Sequence, residues 1–239
     1  MANKRSDPKI LKLEGIEAPL VVRRNPRARR LTLRLDQASG APQLSLPRGV
    51  PLSEGLDFAR SRSGWLLAQL ESLPPRVAFA EGARVPYLGE PQVIRHAPWA
   101  RRGVWREAGA IWVSGFAEHL ARRVTDFLRH EARRELTARA GDKAARLGRR
   151  PARRLGRISI RDTQSRWGSC SSDGDISFSW RLILAPEPVL DYVVAHEVAH
   201  LVHLNHGARF WALVDGLTAE VAGPKRWLRR NGGALLRYG

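Results

Sequence analysis

Residues 189–204 are mostly apolar, yet His196, Glu197 and His200 stand among them, flanked by Tyr192, Val193, Val194, Ala195, Val198 and Ala199. The length of the run, and the prolines just ahead of it at 186 and 188, read as a buried helix with proline in its first turn. Imidazole and carboxylate groups taken out of water need partners, because an unpaired buried polar group costs roughly 1–3 kcal/mol. Any fold for this chain has to close around that triplet and satisfy it. A metal ion is a partner that satisfies several imidazoles at once.

Four of the seven histidines, His196, His200, His203 and His206, fall within eleven positions. His196 and His200, four residues apart, share one helical face with Cβ atoms about 5–6 Å apart, so both reach one ion. Glu197 follows the first of them, and its carboxylate reaches water on the ion rather than the ion itself, as a general base requires. Zinc held by three protein ligands keeps a fourth position open and lowers the pKa of its water to about 7. The reaction class that follows is hydrolysis assisted by one zinc ion, with Glu197 catalytic. Three residues compete as third ligand. His206 stands between Asn205 and Gly207, a turn that bends the chain back toward the ion, and ranks first. Glu220, twenty residues past His200, ranks second; His203 ranks third, since a continuing helix carries it a turn beyond the ion.

Composition narrows the class. At 239 residues, 43% hydrophobic and 27% charged, the chain has the make-up of a globular protein with a sizeable core rather than a disordered one. Its longest apolar run, residues 210–214, is far short of the roughly 20 that cross a bilayer, so no membrane partner is expected. The charged amino terminus lacks the apolar stretch of a secretory signal, and Cys170 is the single cysteine; both point to the cytoplasm. The net charge of +18, nearly all of it arginine, admits two readings: a basic surface for nucleic acid or another polyanion, or a compositional habit. Between residues 139 and 161 basic side chains crowd together with no aromatic residue among them, which suits a solvated helix face and linker better than a nucleic-acid patch. No GxxxxGK[ST] stretch occurs, which excludes an ordinary P-loop NTPase.

Along the chain, residues 1–115 carry short alternating patterns broken by Pro and Gly, the grammar of strands and turns. Residues 31–35 and 43–46 read as a hairpin, residues 56–73 as one helix, and residues 85–91 and 109–115 as further strands and turns. From residue 116, Leu120, Val124, Leu128, Leu136, Ala140, Ala144 and Leu147 recur at helical spacing, a long amphipathic helix with a possible interruption at Gly141. Residues 175–184 alternate like a half-buried strand. The expected fold class is α+β, with an amino-terminal strand-rich subdomain at 1–115 and a catalytic domain with the HExxH helix at 116–239.

Three stretches carry a resemblance. They are Arg161-Asp-Thr-Gln-Ser-Arg-Trp-Gly-Ser-Cys-Ser-Ser-Asp-Gly174, Ser179-Trp-Arg-Leu-Ile-Leu184, and His196-Glu-Val-Ala-His-Leu-Val-His-Leu-Asn-His-Gly-Ala-Arg-Phe-Trp211. Together they resemble the YgjP-like metal-dependent hydrolases, and residues 27–35 and 47–50 extend the likeness toward the amino terminus. One departure is Ser179, where many members carry Asn. The resemblance implies a zincin-like metallohydrolase, similar in its active-site helix to SprT-like and WLM proteases, with ligands His196, His200 and His206 and with Glu197 as base.

It implies two substrate classes, because the family is labelled a metallopeptidase while a UTP pyrophosphatase activity has been assigned to members. For a polypeptide, the strand at 175–184 offers an edge. For a nucleotide, Arg166, Arg181 and Arg209, with Arg161 nearby, are the substrate-binding candidates, though each taken singly is more often a surface ion pair. A third reading is a DNA-associated, SprT-like protease or a DNA-binding protein docked through basic surface. Cys170 reads as a small buried residue in a turn.

Overall fold

Alternating residues in the amino-terminal part do form strands: β1 (Lys9–Leu13), β2 (Ile16–Arg24), β3 (Thr32–Leu35) and β4 (Pro42–Leu46). They make one sheet in the order β1-β2-β4-β3, with β2 parallel to β4 and the other pairs antiparallel. The expected 31–46 hairpin is the β3–β4 pair. Two helices follow, α1 (Leu52–Ser61) and α2 (Ser63–Glu71), where the sequence pattern reads as one. The chain turns at Arg62, whose N–H bonds back to the Ala59 carbonyl and closes α1. Leu20, Leu44, Leu46, Ala59 and Leu66 fill the core between sheet and helices. Gly55 lets α1 sit directly on β4, since a Cβ there would run into Leu46.

The structure, a computed structural model, describes residues 9–13, 15–148 and 153–239. The chain divides into two compact units, Met1–Pro75 and Arg76–Gly239. The division drawn from sequence at 115/116 is therefore not where the packing divides. The reason is that Val85, Tyr87, Ile94, Ile111 and Val113, from the strands before residue 115, share one core with the helices that follow. Part of the charged amino terminus and part of the basic stretch at 139–161 lie outside the described residues.

In the second unit, β5 (Arg84–Tyr87), β6 (Glu90–His96), β7 (Val104–Glu107) and β8 (Ala110–Val113) form a sheet in the order β5-β6-β8-β7. Helix α3 (Leu120–Ala145) runs 26 residues without a break at Gly141. Its residues at every fourth position, Leu120, Val124, Leu128, Ala132, Leu136 and Ala140, are all buried. Each larger side chain of that stripe contributes about 1.5–3 kcal/mol by leaving water. Three residues past Ala140, on the same side of the helix, stands the buried Lys143. Its Nζ donates to Asp191 at 2.8 Å and to the Leu217 carbonyl at 2.5 Å, so a buried charge is paired and two later helices are tied to α3.

Three short strands, β9 (Ile158–Arg161), β10 (Gly168–Cys170) and β11 (Ile176–Ser179), make a second sheet in the order β10-β11-β9. The strand expected over 175–184 is thus only four residues long. Residues Trp180–Leu184 wind into a 3₁₀ turn that is buried on all sides, so their apparent alternation does not separate a wet from a dry face. Because β11 is the middle strand, it has no free edge to offer, and that expectation is corrected. Helix α4 (Glu187–Ala199) follows, then α5 (Ala208–Leu217) and α6 (Ala222–Leu235). Helix α4 ends five residues earlier than the apolar run suggests. No helix among the described residues is long and apolar enough to cross a membrane.

Candidate metal centre

Helix α4 is buried along almost its whole length and presents His196 from its last turn and His200 from the capping position that follows it. The loop after it returns His206, so that one nitrogen from each of the three imidazoles lies within 4.8 Å of the others. His206 Nε2 stands 3.1 Å from His196 Nε2. Two nitrogens bound to one zinc at 2.0–2.1 Å in tetrahedral geometry are about 3.4 Å apart, so the donor set fits such an ion with little adjustment. Burial lowers the pKa of His196 to about 4, helped by His200, His206 and Lys225, and burial lowers that of His200 as well. Both rings are therefore neutral at ordinary pH, which is the form that ligates.

The rings are held from outside. His200 Nδ1 lies 3.0 Å from the His203 carbonyl. Bonded there as N–H donor, it leaves Nε2 free to face the site. Phe210, fully buried on α5, forms a floor: its ring centroid is 5.0 Å from that of His196 and 4.7 Å from those of His200 and His206. Trp211 stacks against His206 at 5.9 Å, and Lys225 Nζ lies 4.7 Å over Trp211. Sequence reasoning gave Phe210 and Trp211 no role; the signal was their placement four and five residues past His206 at the start of a helix.

The other two candidates for third ligand stand elsewhere. Glu220 is exposed, and its Oε1 accepts the Gly223 N–H at 2.9 Å, capping the start of α6. His203 contributes its backbone carbonyl, not its ring. His196, His200 and His206 are the one group of potential ligands found among the described residues.

Glu197 points from α4 toward β10 rather than toward solvent. A Cβ on Gly168 would sit 2.5 Å from Glu197 Cγ and Oε1, so only glycine leaves room for this carboxylate. Burial raises its pKa to about 7, with Arg166 pulling the other way. Cys170 shares this side of β10, and burial, then the Glu197 charge, raises its thiol to about 11, so it stays protonated. Strand β10 is an edge. Ser179 N–H bonds to Trp167 O and Ser171 N–H to Asp175 O. Since ladder bonds alternate in antiparallel pairs, the backbone N–H and C=O groups of Gly168 and Cys170 face the open side of the sheet.

A family model described as YgjP-like, metallopeptidase domain, matches residues 29–231. The chain belongs to the YgjP-like family. No curated relative and no solved structure matches it. Membership of a metallopeptidase family makes this chain a metal-dependent hydrolase by domain type.

The arginines of this YgjP-like chain part company. Arg166 is exposed; its carbonyl accepts the Thr163 hydroxyl at 2.8 Å, but its guanidinium makes no hydrogen bond or ion pair among the described residues and acts on Glu197 through its charge. Arg181 is buried, with Nε on Asp162 at 3.1 Å and Nη1 on the Leu235 and Tyr238 carbonyls, so it ties the carboxyl-terminal segment to the sheet. With Nε and Nη1 engaged inside the protein and the side chain buried, its candidacy as a substrate ligand is corrected. Arg209 opens on a shallow depression of about 530 Å³ shared with Arg153 and His203. Arg161 lines a groove with Arg129 and Arg133 on α3. Ser179, the departure from the family pattern, is fully buried with no partner for its hydroxyl among the described residues.

Proposed function

We propose that this protein is a zinc-dependent, zincin-like peptidase in which His196, His200 and His206 hold the ion and Glu197 handles the proton. The observation that carries the reading is the convergence of three imidazole nitrogens within 4.8 Å, next to a buried carboxylate and an open strand edge. When bound, zinc supplies Lewis acidity and a water that is nucleophilic near neutral pH. Glu197, held by Gly168 and by burial, accepts the proton of the attacking water and delivers it to the leaving amide nitrogen. The His203 carbonyl keeps His200 in the tautomer with Nε2 free. An extended polypeptide pairs with the outward N–H and C=O groups of Gly168 and Cys170, which orients its scissile carbonyl beside Glu197. Arg166 steadies negative charge that develops on that carbonyl oxygen.

Arg166 also supports a second reading, hydrolysis of a nucleoside triphosphate. It ranks lower because a triphosphate needs several convergent cations, and Arg166 is the one predicted arginine whose charge registers at Glu197. The test is a parallel screen of zinc-loaded protein against unfolded polypeptides and nucleoside triphosphates, with Glu197→Gln as blank. The expected result is polypeptide cleavage that Glu197→Gln removes while zinc content stays the same. Equal turnover by Glu197→Gln would overturn the role of the carboxylate, and turnover of triphosphate alone would overturn the substrate.

A further inference from the structure

The sheet β5-β6-β8-β7 has one face in the core and one in solvent, and the solvent face is not what a bare surface should be. Ile94, Ile111 and Val113 turn inward and are buried. The residues between them turn outward. Register places Arg95 opposite Trp112, and Trp112 opposite Trp105, so the three form one row across β6, β8 and β7. The two indoles stack with centroids 6.1 Å apart and planes only 12° from parallel. Neither tryptophan belongs to either core cluster. Arg102 extends the row, its guanidinium 5.4 Å over Trp105. Arg84 stands on the same face one row along, opposite Val93.

The loop at 97–103 continues this surface past the end of the sheet. It is pinned to β8 by Ala97 N–H on Val113 O and by Ser114 N–H on Gly103 O. It holds Trp99, which is 79% exposed, and Arg101, while Phe116, 75% exposed, follows β8 at the same end. Large apolar side chains this exposed and this close together mark a binding surface. Arg84, Arg101 and Arg102 have no carboxylate partner among the described residues. Two acids lie on this side: Glu81 is 3.6 Å from Arg95, and Glu107 accepts the Trp105 indole N–H at 3.1 Å.

We propose that this face binds single-stranded nucleic acid, with unpaired bases stacking on Trp99, Trp105 and Trp112 and phosphates lying on Arg84, Arg101 and Arg102. Flat indole faces between uncompensated guanidiniums are what a stacking platform for a single strand consists of. A duplex hides its base faces, and an acidic polypeptide would use the arginines but gain nothing from the rings. The chain's net charge of +18 adds long-range attraction for a polyanion. The basic stretch at 139–161 lacks aromatic residues; the interleaving of ring and cation is here instead. The inference does not depend on the metal centre.

The experiment is fluorescence anisotropy of a labelled twenty-residue oligothymidylate titrated with the full chain at several salt concentrations. A duplex of equal length, heparin and polyglutamate serve as competitors. Expected is tighter binding of the single strand than of the duplex. Trp112→Ala and, separately, Trp99→Ala each weaken it by about 5-fold or more, while Trp112→Phe keeps a stacking face and recovers much of the loss. Arg101→Ala should instead reduce the steepness of the salt dependence by about 0.7 in log–log slope. Trp99 is so exposed that its replacement leaves folding untouched, so a silent Trp99→Ala together with a silent Trp112→Ala overturns the proposal. So does equal competition by heparin or polyglutamate, which would reduce the surface to charge alone.

Discussion

Gly168→Ala tests the contact between β10 and the carboxylate of Glu197 without touching a metal ligand. The added Cβ would lie 2.5 Å from Glu197 Cγ, 2.5 Å from Oε1 and 2.7 Å from Cδ. Ordinary carbon contacts are about 3.5–4.0 Å, so strand or carboxylate must give way by about 1 Å. Overpacking of this kind costs about 1–3 kcal/mol. For a chain of this size 2 kcal/mol lowers the melting temperature by about 4–8 °C. All three nearest atoms belong to Glu197, so the penalty should vanish when that side chain is cut back. In a Glu197→Ala background, Gly168→Ala should be neutral, or stabilising by about 0.5–1 kcal/mol, since alanine is the better strand residue.

The assay is a double-mutant cycle by urea unfolding at fixed zinc concentration, in which the coupling term is nearly the whole penalty. A second readout is independent of stability. Displacing the carboxylate by 1 Å should cost about 100-fold in polypeptide hydrolysis, with zinc stoichiometry unchanged, because the clash does not involve an imidazole. A Gly168→Ala penalty of the same size in both backgrounds would refute the reasoning, since the conflict would then lie somewhere other than Glu197.

His206→Ala should weaken zinc binding by more than about 100-fold in chelator competition, a larger effect than loss of an outer partner, while Glu220→Ala should leave it unchanged. Lys143→Ala should cost about 2–4 kcal/mol in urea unfolding, because it removes the cation from Asp191 and leaves the Leu217 carbonyl short of a donor; Lys143→Met, which restores the packing, should cost less. The cluster of Tyr87, Glu131 and Arg134 gives stability a pH dependence at both ends. Burial would raise the Glu131 pKa, but hydrogen bonds from Arg134 and Tyr87 hold it below the usual 4.5. Its contribution is thus present above that value and lost as pH falls through the lower folded one. Burial first, then the bond to Glu131, raises Tyr87 to about 12 from 10, so that contribution is present below 10 and lost as pH rises toward 12. Unfolding free energy against pH should show both losses, and Glu131→Gln should remove the acid one.

How much was legible in the sequence depended on whether the deciding interactions were local. The α3 stripe repeats every four residues over six positions, and one buried face dictates that spacing, so the helix could be read directly. His196, Glu197 and His200 are fixed by helical geometry alone, and the Asn205-His206-Gly207 turn pointed to the third imidazole. Strands β9 and β10 were missed. They are four and three residues long, too short to show a period, and are strands because β11 runs between them. The 3₁₀ turn at Trp180–Leu184 was misread as strand because a segment buried all round carries no period. Arg181 looked like a substrate ligand for the same kind of reason: its partners, Leu235 and Tyr238, are more than fifty residues away. Gly168 was quoted in a motif but not explained, since the atom it makes room for belongs to another element.

The early end of α4 is what turns a helical motif into a three-sided site. Ten residues of unbroken helix would carry His206 about 15 Å along the axis from His196, whereas their Nε2 atoms are 3.1 Å apart. Two features stop the helix. Val202 and His203 N–H groups both bond to the Ala199 carbonyl, which tightens the last turn. The Leu201 carbonyl, which a continuing helix would pair with the N–H of residue 205, accepts the Arg153 N–H at 3.0 Å instead. The side chain of Leu201 is fully buried and holds that exchange in place. Freed from the ladder, the His203 carbonyl turns to His200 Nδ1, and the chain bends back through Asn205 to Gly207 to deliver the third ring. Arg153, remote from the motif in sequence, therefore contributes to the bend that delivers the third imidazole.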